Sequence, residues 1–240
     1  PHSNDMKPFP VYKGETVVEE QADQTTLTQR FTNEAISYVG QHKNEPFFLY
    51  FAHTMPHVPL YTAKEFRGSS KAGLYGDVVQ FIDAEVGRLV AALEEWGLMD
   101  NTLLVITSDN GPWYEGSPGA FRGTKGTGLE GGVRVPLIAH WPAQIKEGSR
   151  SDAIGMGIDF AATLADVAGK PLETPTDGKS LLKTWTEGAP TPHDYLYLFE
   201  GTEVSGVRTQ DWKFVVRMYY QRWSVHFDKD DQFNRPGLLF

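Results

Sequence analysis

The sequence predicts an α/β fold followed by a small antiparallel sheet. Short apolar runs alternate with helical patterns as far as about residue 170, as the strands and crossover helices of a sheet do. Strand-like runs with short connections then crowd into residues 195–200, 204–208 and 212–217. A stretch rich in Pro, Gly and Thr at 171–192 separates the two patterns.

Each element has its own signal. The first twenty residues carry Pro1, Pro8, Pro10 and Gly14 and read as loop. In residues 23–42, Leu27, Phe31, Ala35 and Val39 recur every four positions, the stripe of an amphipathic helix, with Asp23 or Thr25 as its N-cap. Residues 46–52 are continuously apolar and aromatic, which predicts a strand buried on both faces; Pro56 and Pro59 then break any regular element. Residues 75–97 place Val78, Ile82, Val86, Leu89, Val90 and Leu93 on one helical stripe, with Gly97 as the stop. Residues 102–107 form a second buried strand, and 136–141 a third. Between these two lies a loop from Gly111 to Val133 with eight glycines, longer than compact domains keep without a use. A short helix at 159–168 closes at Gly169.

Composition narrows the function. The chain has 240 residues and a net charge of −9, which argues against a dedicated nucleic-acid binder. No apolar run approaches the roughly 18 residues that would span a bilayer, and no signal-peptide pattern occupies the first twenty positions. There is no Cys, hence no disulfide, zinc–thiolate site or cysteine nucleophile in these residues. Gly178-Lys179-Ser180 lacks the upstream glycine of a P-loop, since Glu173 stands there. His53 and His57 have helical zinc-ligand spacing, but Pro56 between them forbids the helix. A Gly-x-Ser-x-Gly elbow is absent.

Three segments remain, each placed after a predicted strand, where open α/β sheets bind ligands. Asp109-Asn110 offers two hard oxygen donors suited to Ca²⁺ or Mg²⁺, although Asx residues also favour turns. His57, between Pro56 and Pro59, is of a type that serves as general acid or oxyanion ligand, or is a plain loop histidine. Lys125 sits among glycines in Arg122-Gly-Thr-Lys-Gly-Thr-Gly-Leu-Glu-Gly-Gly-Val-Arg134, a cation on backbone that can approach a tetrahedral anion closely. Trp113, Tyr114 and His193 are further candidates to line a cleft, or else to pack.

Taken together and in order, these segments resemble the formylglycine-dependent sulfatases of the alkaline-phosphatase superfamily, above all the arylsulfatase and N-acetylgalactosamine-6-sulfatase branch. The resemblance runs from Pro-His-Ser-Asn-Asp-Met at 1–6, through Phe-Phe-Leu-Tyr-Phe-Ala-His-Thr-Met-Pro-His-Val-Pro at 47–59 and Ser-Asp-Asn-Gly-Pro at 108–112, to Gly-Thr-Lys-Gly-Thr-Gly-Leu-Glu-Gly-Gly-Val-Arg-Val-Pro at 123–136. It implies an alkaline-phosphatase-like sandwich, a mostly parallel sheet between helices followed by the small antiparallel sheet. Residues 1–175 would be a partial catalytic domain lacking its N-terminal half, and 176–240 the start of the C-terminal subdomain.

By position, the resemblance makes Asp109 and Asn110 two ligands of an active-site Ca²⁺, with Mg²⁺ second. Lys125 would bind a sulfate oxygen, His57 would contact the ester oxygen and protonate the leaving alcohol, and Ser3 would hydrogen-bond near the sulfate. The family's formylglycine arises from Cys, or from Ser in a Ser-x-Pro-x-Arg motif, and this chain has neither. The nucleophile is therefore expected in an N-terminal portion outside the chain, on the same or a separate polypeptide, and the isolated chain is expected to be inactive and to bind Ca²⁺ poorly. The expected substrate is an aryl or carbohydrate sulfate ester, with no nucleic-acid or membrane partner, in a periplasmic or secreted protein. A phosphatase or phosphodiesterase of the same superfamily is the nearest alternative, although relatives of that kind commonly carry Asp-His-Gly where this chain has Asp109-Asn110-Gly111. A non-catalytic binder of sulfated glycans is the second.

Overall fold

Pro10 and Gly14, read above as loop signals, belong to a hairpin instead, Pro10 just before its first strand and Gly14 in its turn. The computed structural model describes residues 9–216 and 238–239. In it β1 (Val11–Lys13) pairs antiparallel with β2 (Thr16–Glu19). Gly14, at φ +61°, makes the turn between two stretches that carry β-branched residues.

The described residues divide into two compact units, one ending at Asp100 and the other beginning at Asn101. In the first, α1 (Gln24–His42) starts where Asp23 accepts a hydrogen bond from the Thr25 amide, which settles the cap in favour of Asp23. Leu27, Ala35 and Val39 are buried as their spacing predicts, and Thr28 and Thr32 join them. The α2 helix (Gly73–Glu95) buries Asp77, Val78, Phe81, Glu85, Leu89, Ala92 and Leu93. Its stripe is thus centred about one residue earlier than expected, leaving Ile82, Val86 and Val90 half-buried. Past its end, Gly97 takes φ +67°, its amide reaching the Glu94 carbonyl and the Leu98 amide the Leu93 carbonyl, a Schellman closure.

The predicted strand at 46–52 joins no ladder among the described residues. Phe47, Leu49 and Phe51 pack on the cluster of Val39, Leu89, Leu93 and Met99. Phe48 and Tyr50 between them are 64% and 82% exposed. One face packs on the helices; the other, with Phe48 and Tyr50, has no cover among the described residues.

The second unit holds β3 (Leu104–Thr107), α3 (Glu130–Val133), β4 (Leu137–His140), α4 (Asp159–Val167), α5 (Leu182–Glu187), β5 (Leu196–Glu200), β6 (Glu203–Arg208), β7 (Lys213–Val215) and β8 (Leu238–Leu239). β3 and β4 pair antiparallel, from Leu104 opposite His140 to Thr107 opposite Leu137. A parallel partner needs a long crossover, usually a helix. Here only the glycine loop and the single turn of α3 intervene, so the chain returns antiparallel. Every strand pair among the described residues is antiparallel. The expected C-terminal sheet is present in the order β5-β6-β7-β8.

A buried carboxylate organises the region between these sheets. Asp159 accepts hydrogen bonds from the amides of Met156 (2.7 Å) and Lys179 (2.9 Å) and from His193 Nε2 (2.8 Å). Thr163 Oγ1 donates to the Asp159 carbonyl and accepts from the Leu181 amide. Gly178-Lys179-Ser180 is therefore part of a structural turn, as its failed P-loop spacing implied.

Candidate functional site

The end of β3 begins the site. Thr107 Oγ1 donates to the Pro136 carbonyl at 2.9 Å, and Ser108 Oγ donates to the Asn110 carbonyl at 3.1 Å and reaches Asp109 Oδ1 at 3.4 Å. This fixes the backbone of 108–110 beside β4 while leaving the Asp109 side chain exposed.

The glycine loop then folds back along the same segment. The Gly111 amide donates to the Gly132 carbonyl (2.9 Å), the Lys125 amide to the Pro112 carbonyl (2.9 Å) and the Gly131 amide to the Arg122 carbonyl (2.8 Å). The approach is too close for side chains. A Cβ on Gly111 would lie 2.0 Å from the Gly131 carbonyl oxygen, and one on Gly131 would lie 2.2 Å from that of Gly123. Glycine is required there because backbone occupies the space. Asp109, Asn110 and Lys125 are thus brought onto adjoining, hydrogen-bonded segments of one unit. Lys125 itself is half-buried.

Behind the loop lies an ion cluster that no local pattern announces. Glu130 Oε1 accepts from Lys213 Nζ at 2.8 Å, with Arg208 Nε at 3.6 Å, and Arg134 Nη1 lies 3.6 Å from Oε2. Burial acts to raise the Glu130 pKa, but the Lys213 hydrogen bond and charge, then Arg208 and Arg134, outweigh it and hold the carboxyl below its usual range. Lys213 is more deeply buried, and desolvation pulls it below the usual lysine range against the pull of Glu130. The carboxylate is the firmer of the two, because three cations face it. Glu130 lies inside a segment that sequence reasoning singled out, but Lys213 is 83 residues away and only the fold joins them.

His57 belongs to the first unit. It is exposed, with Nδ1 2.7 Å from the Val58 carbonyl. A carbonyl only accepts, so Nδ1 carries the proton of that hydrogen bond. His53 differs. Its ring stands 4.2 Å from Phe51, neither nitrogen has a partner among the described residues, and burial lowers its pKa, so it is a neutral packing residue. His193 packs as well, buried against Asp159, and lines no cleft. Trp113 and Tyr114 meet edge to face at 4.7 Å. Ser3 lies outside the described residues.

The donor set at 109–110, one carboxylate and one carboxamide, has the hard-oxygen chemistry of a calcium ligand and not the imidazole or thiolate of a zinc site. Ca²⁺ takes about six to eight oxygens. Among the described residues no group of three or more His, Cys, Asp or Glu could hold a metal; these two fit in kind and would supply only part of a coordination shell.

Comparison with known proteins bears on the whole arrangement. The family model described as Sulfatase matches residues 3–170, and the model described as N-sulphoglucosamine sulphohydrolase, C-terminal, matches 125–234. The N-acetylgalactosamine-6-sulfatase of Mus musculus is 34% identical over 93% of this chain and 46% of its own length. The arylsulfatase of Hemicentrotus pulcherrimus is 34% identical over 85% of this chain and 38% of its own. A solved structure from work on the metabolism of multiple glycosaminoglycans by Bacteroides thetaiotaomicron superposes with a TM-score of 0.76 at 30% identity, covering 82% of this chain and 44% of that one. The chain spans about half the length, or less, of the curated relatives it matches.

Proposed function

The chain belongs to the sulfatase family, and from that premise we propose that the protein carrying it hydrolyses sulfate esters, with Lys125, His57, Asp109 and Asn110 as this chain's share of the active site. The observation that supports this best is the pair of backbone hydrogen bonds, Gly111 to Gly132 and Lys125 to Pro112, that ties the segment carrying the half-buried Lys125 to the residues directly after Asp109-Asn110.

Hydrolysis of a sulfate ester moves negative charge onto the sulfuryl oxygens and the leaving oxygen. Lys125 binds a sulfuryl oxygen through its ammonium group, on a loop stiffened before substrate arrives, so little reorganisation is needed. His57, with Nδ1 held by the Val58 carbonyl, donates from Nε2 to the leaving oxygen when protonated, a role that typically contributes roughly 10²–10⁴-fold. Asp109 and Asn110 would hold Ca²⁺, which adds positive charge at the sulfate. The formylglycine of the family supplies the nucleophile, and its Cys- or Ser-x-Pro-x-Arg source has no counterpart in these 240 residues. Ser3 is kept as a residue near the sulfate. Residues 1–175 are read as catalytic-domain sequence and 176–240 as subdomain sequence. A periplasmic or secreted location fits; among the described residues no helix is long and apolar enough to cross a membrane.

The substrate reading extends to sulfated carbohydrates, supported by the relative named for N-acetylgalactosamine 6-sulfate and by the glycosaminoglycan setting of the solved structure. The test is turnover of p-nitrophenyl sulfate against p-nitrophenyl phosphate by the complete protein, with Lys125→Ala beside it. Preference for the sulfate, lost in the variant by about two orders of magnitude, is expected. Preference for the phosphate would make the protein a phosphatase of the same superfamily, and no turnover with retained binding of sulfated glycans would make it a binder.

A further inference from the structure

The glycine loop is docked onto the C-terminal sheet by three consecutive residues. At Gly128, a Cβ would already meet Ser205 Oγ at 3.1 Å. Leu129 forms a buried cluster with Val215 of β7. Glu130 takes the deeply buried Lys213 of β7 and faces Arg208 of β6. From this anchor the grip runs back through Gly131 to Arg122 and through the Thr127–Thr124 turn to Lys125. Leaving the buried Lys213 without the half-buried Glu130 is costly, so the pair acts as a clasp with one preferred register.

We propose that Glu130 is a positioning residue for Lys125, and that the C-terminal sheet, through Lys213 and Arg208, sets the oxyanion affinity of the glycine loop. The inference rests on the reading of Lys125 as a sulfate-binding residue. A loop with so many glycines has wide conformational freedom unless something external selects one state. Apparent affinity falls in proportion to the fraction of time the competent state is populated. Unclasping should therefore weaken binding of the anion and leave turnover at saturation in place, because bound substrate itself recruits the competent loop.

The experiment is a double-mutant cycle in the complete protein with Glu130→Gln, Lys213→Met and the two combined, read in two ways. Steady-state kinetics with p-nitrophenyl sulfate should show KM raised about tenfold or more in each single variant, with kcat changed by less than about threefold. The double variant should be no worse than the worse single, since both remove one interaction. A merely structural role would instead lower the amount of active protein and leave KM alone, which overturns the proposal, as would effects that multiply in the double. Amide hydrogen exchange over residues 122–132, measured without substrate, is the second readout and should be faster in both singles. If the wild type does not turn over the sulfate, the sulfatase reading fails while exchange still decides the clasp: faster loop exchange in Glu130→Gln upholds it, and unchanged exchange overturns it.

Discussion

In the first unit, two helices face each other across Val39, Leu89, Leu93 and Met99, and the aromatic segment at 47–51 lays alternate side chains on the same cluster. In the second, the apolar cluster at the glycine loop is, among the described residues, Leu129 with Val215, and order comes from polar hubs at the buried Asp159 and the half-buried Glu130 and from backbone hydrogen bonds within the loop. The first unit does contain buried carboxylates: Asp77 caps the amides of Gly68 and Ser70, and Glu85 pairs with Arg88. There they tie a loop and a helix side to an apolar framework already in place. The difference teaches that apolar burial suffices to fix helices, whose backbone is satisfied internally, whereas an irregular glycine-rich loop needs partners for its own amides and carbonyls.

The contrast can be broken most sharply at Asp159. Replacing it with Ala leaves two amides and His193 without their acceptor in a buried setting, and we expect a loss of about 4 kcal/mol in urea unfolding followed by a probe in the second unit. A loss below about 1 kcal/mol would mean that the polar hub is not what holds this region. Leu93→Ala is the apolar counterpart and should cost about 3 kcal/mol in the first unit through lost burial and a residual cavity. If it costs far less, the helix pair collapses into the gap and the cluster is less tightly fitted than its burial implies. Gly97→Ala tests the helix stop. The left-handed backbone there should penalise a Cβ by about 1 kcal/mol, with hydrogen exchange of the α2 C-terminus as the readout.

The smallest expected effect is one of pH. Because the folded-state pKa of Glu130 lies below its ordinary value, its contribution is fully present above the unfolded carboxylate value of about 4.3 and is lost as pH falls through the lowered one. Glu130→Gln should therefore flatten part of the acid-induced loss of stability in the second unit. Parallel pH profiles for variant and wild type would assign that loss to other carboxylates.

Legibility follows the same division. Leu27, Ala35 and Val39 announce α1 because helical periodicity is a local property, and Gly97 announces its stop because only glycine takes that backbone readily. The segments around His57, Asp109-Asn110 and Lys125 stand out as candidates in the sequence because rare combinations of residues carry them. The pairing of β3 with β4 was not, since two apolar runs specify strands without specifying direction. Nor was the hairpin at 11–19, where Pro10 and Gly14 are equally good signals for a turn or for loop.

The sequence by itself determined the family, helices α1, α2 and α4, the C-terminal sheet and the residue types proposed for the site, because each is written in a contiguous pattern. Only the tertiary structure decided that Glu130 grips Lys213 and that His193 serves Asp159, since nothing local in a chain records which distant charges will share a buried site. It also decided that Phe47, Leu49 and Phe51 are the side chains laid on the helices, with Phe48 and Tyr50 on the opposite side of the segment. An apolar side chain states that it can be buried; the partner that covers it is a property of the folded whole.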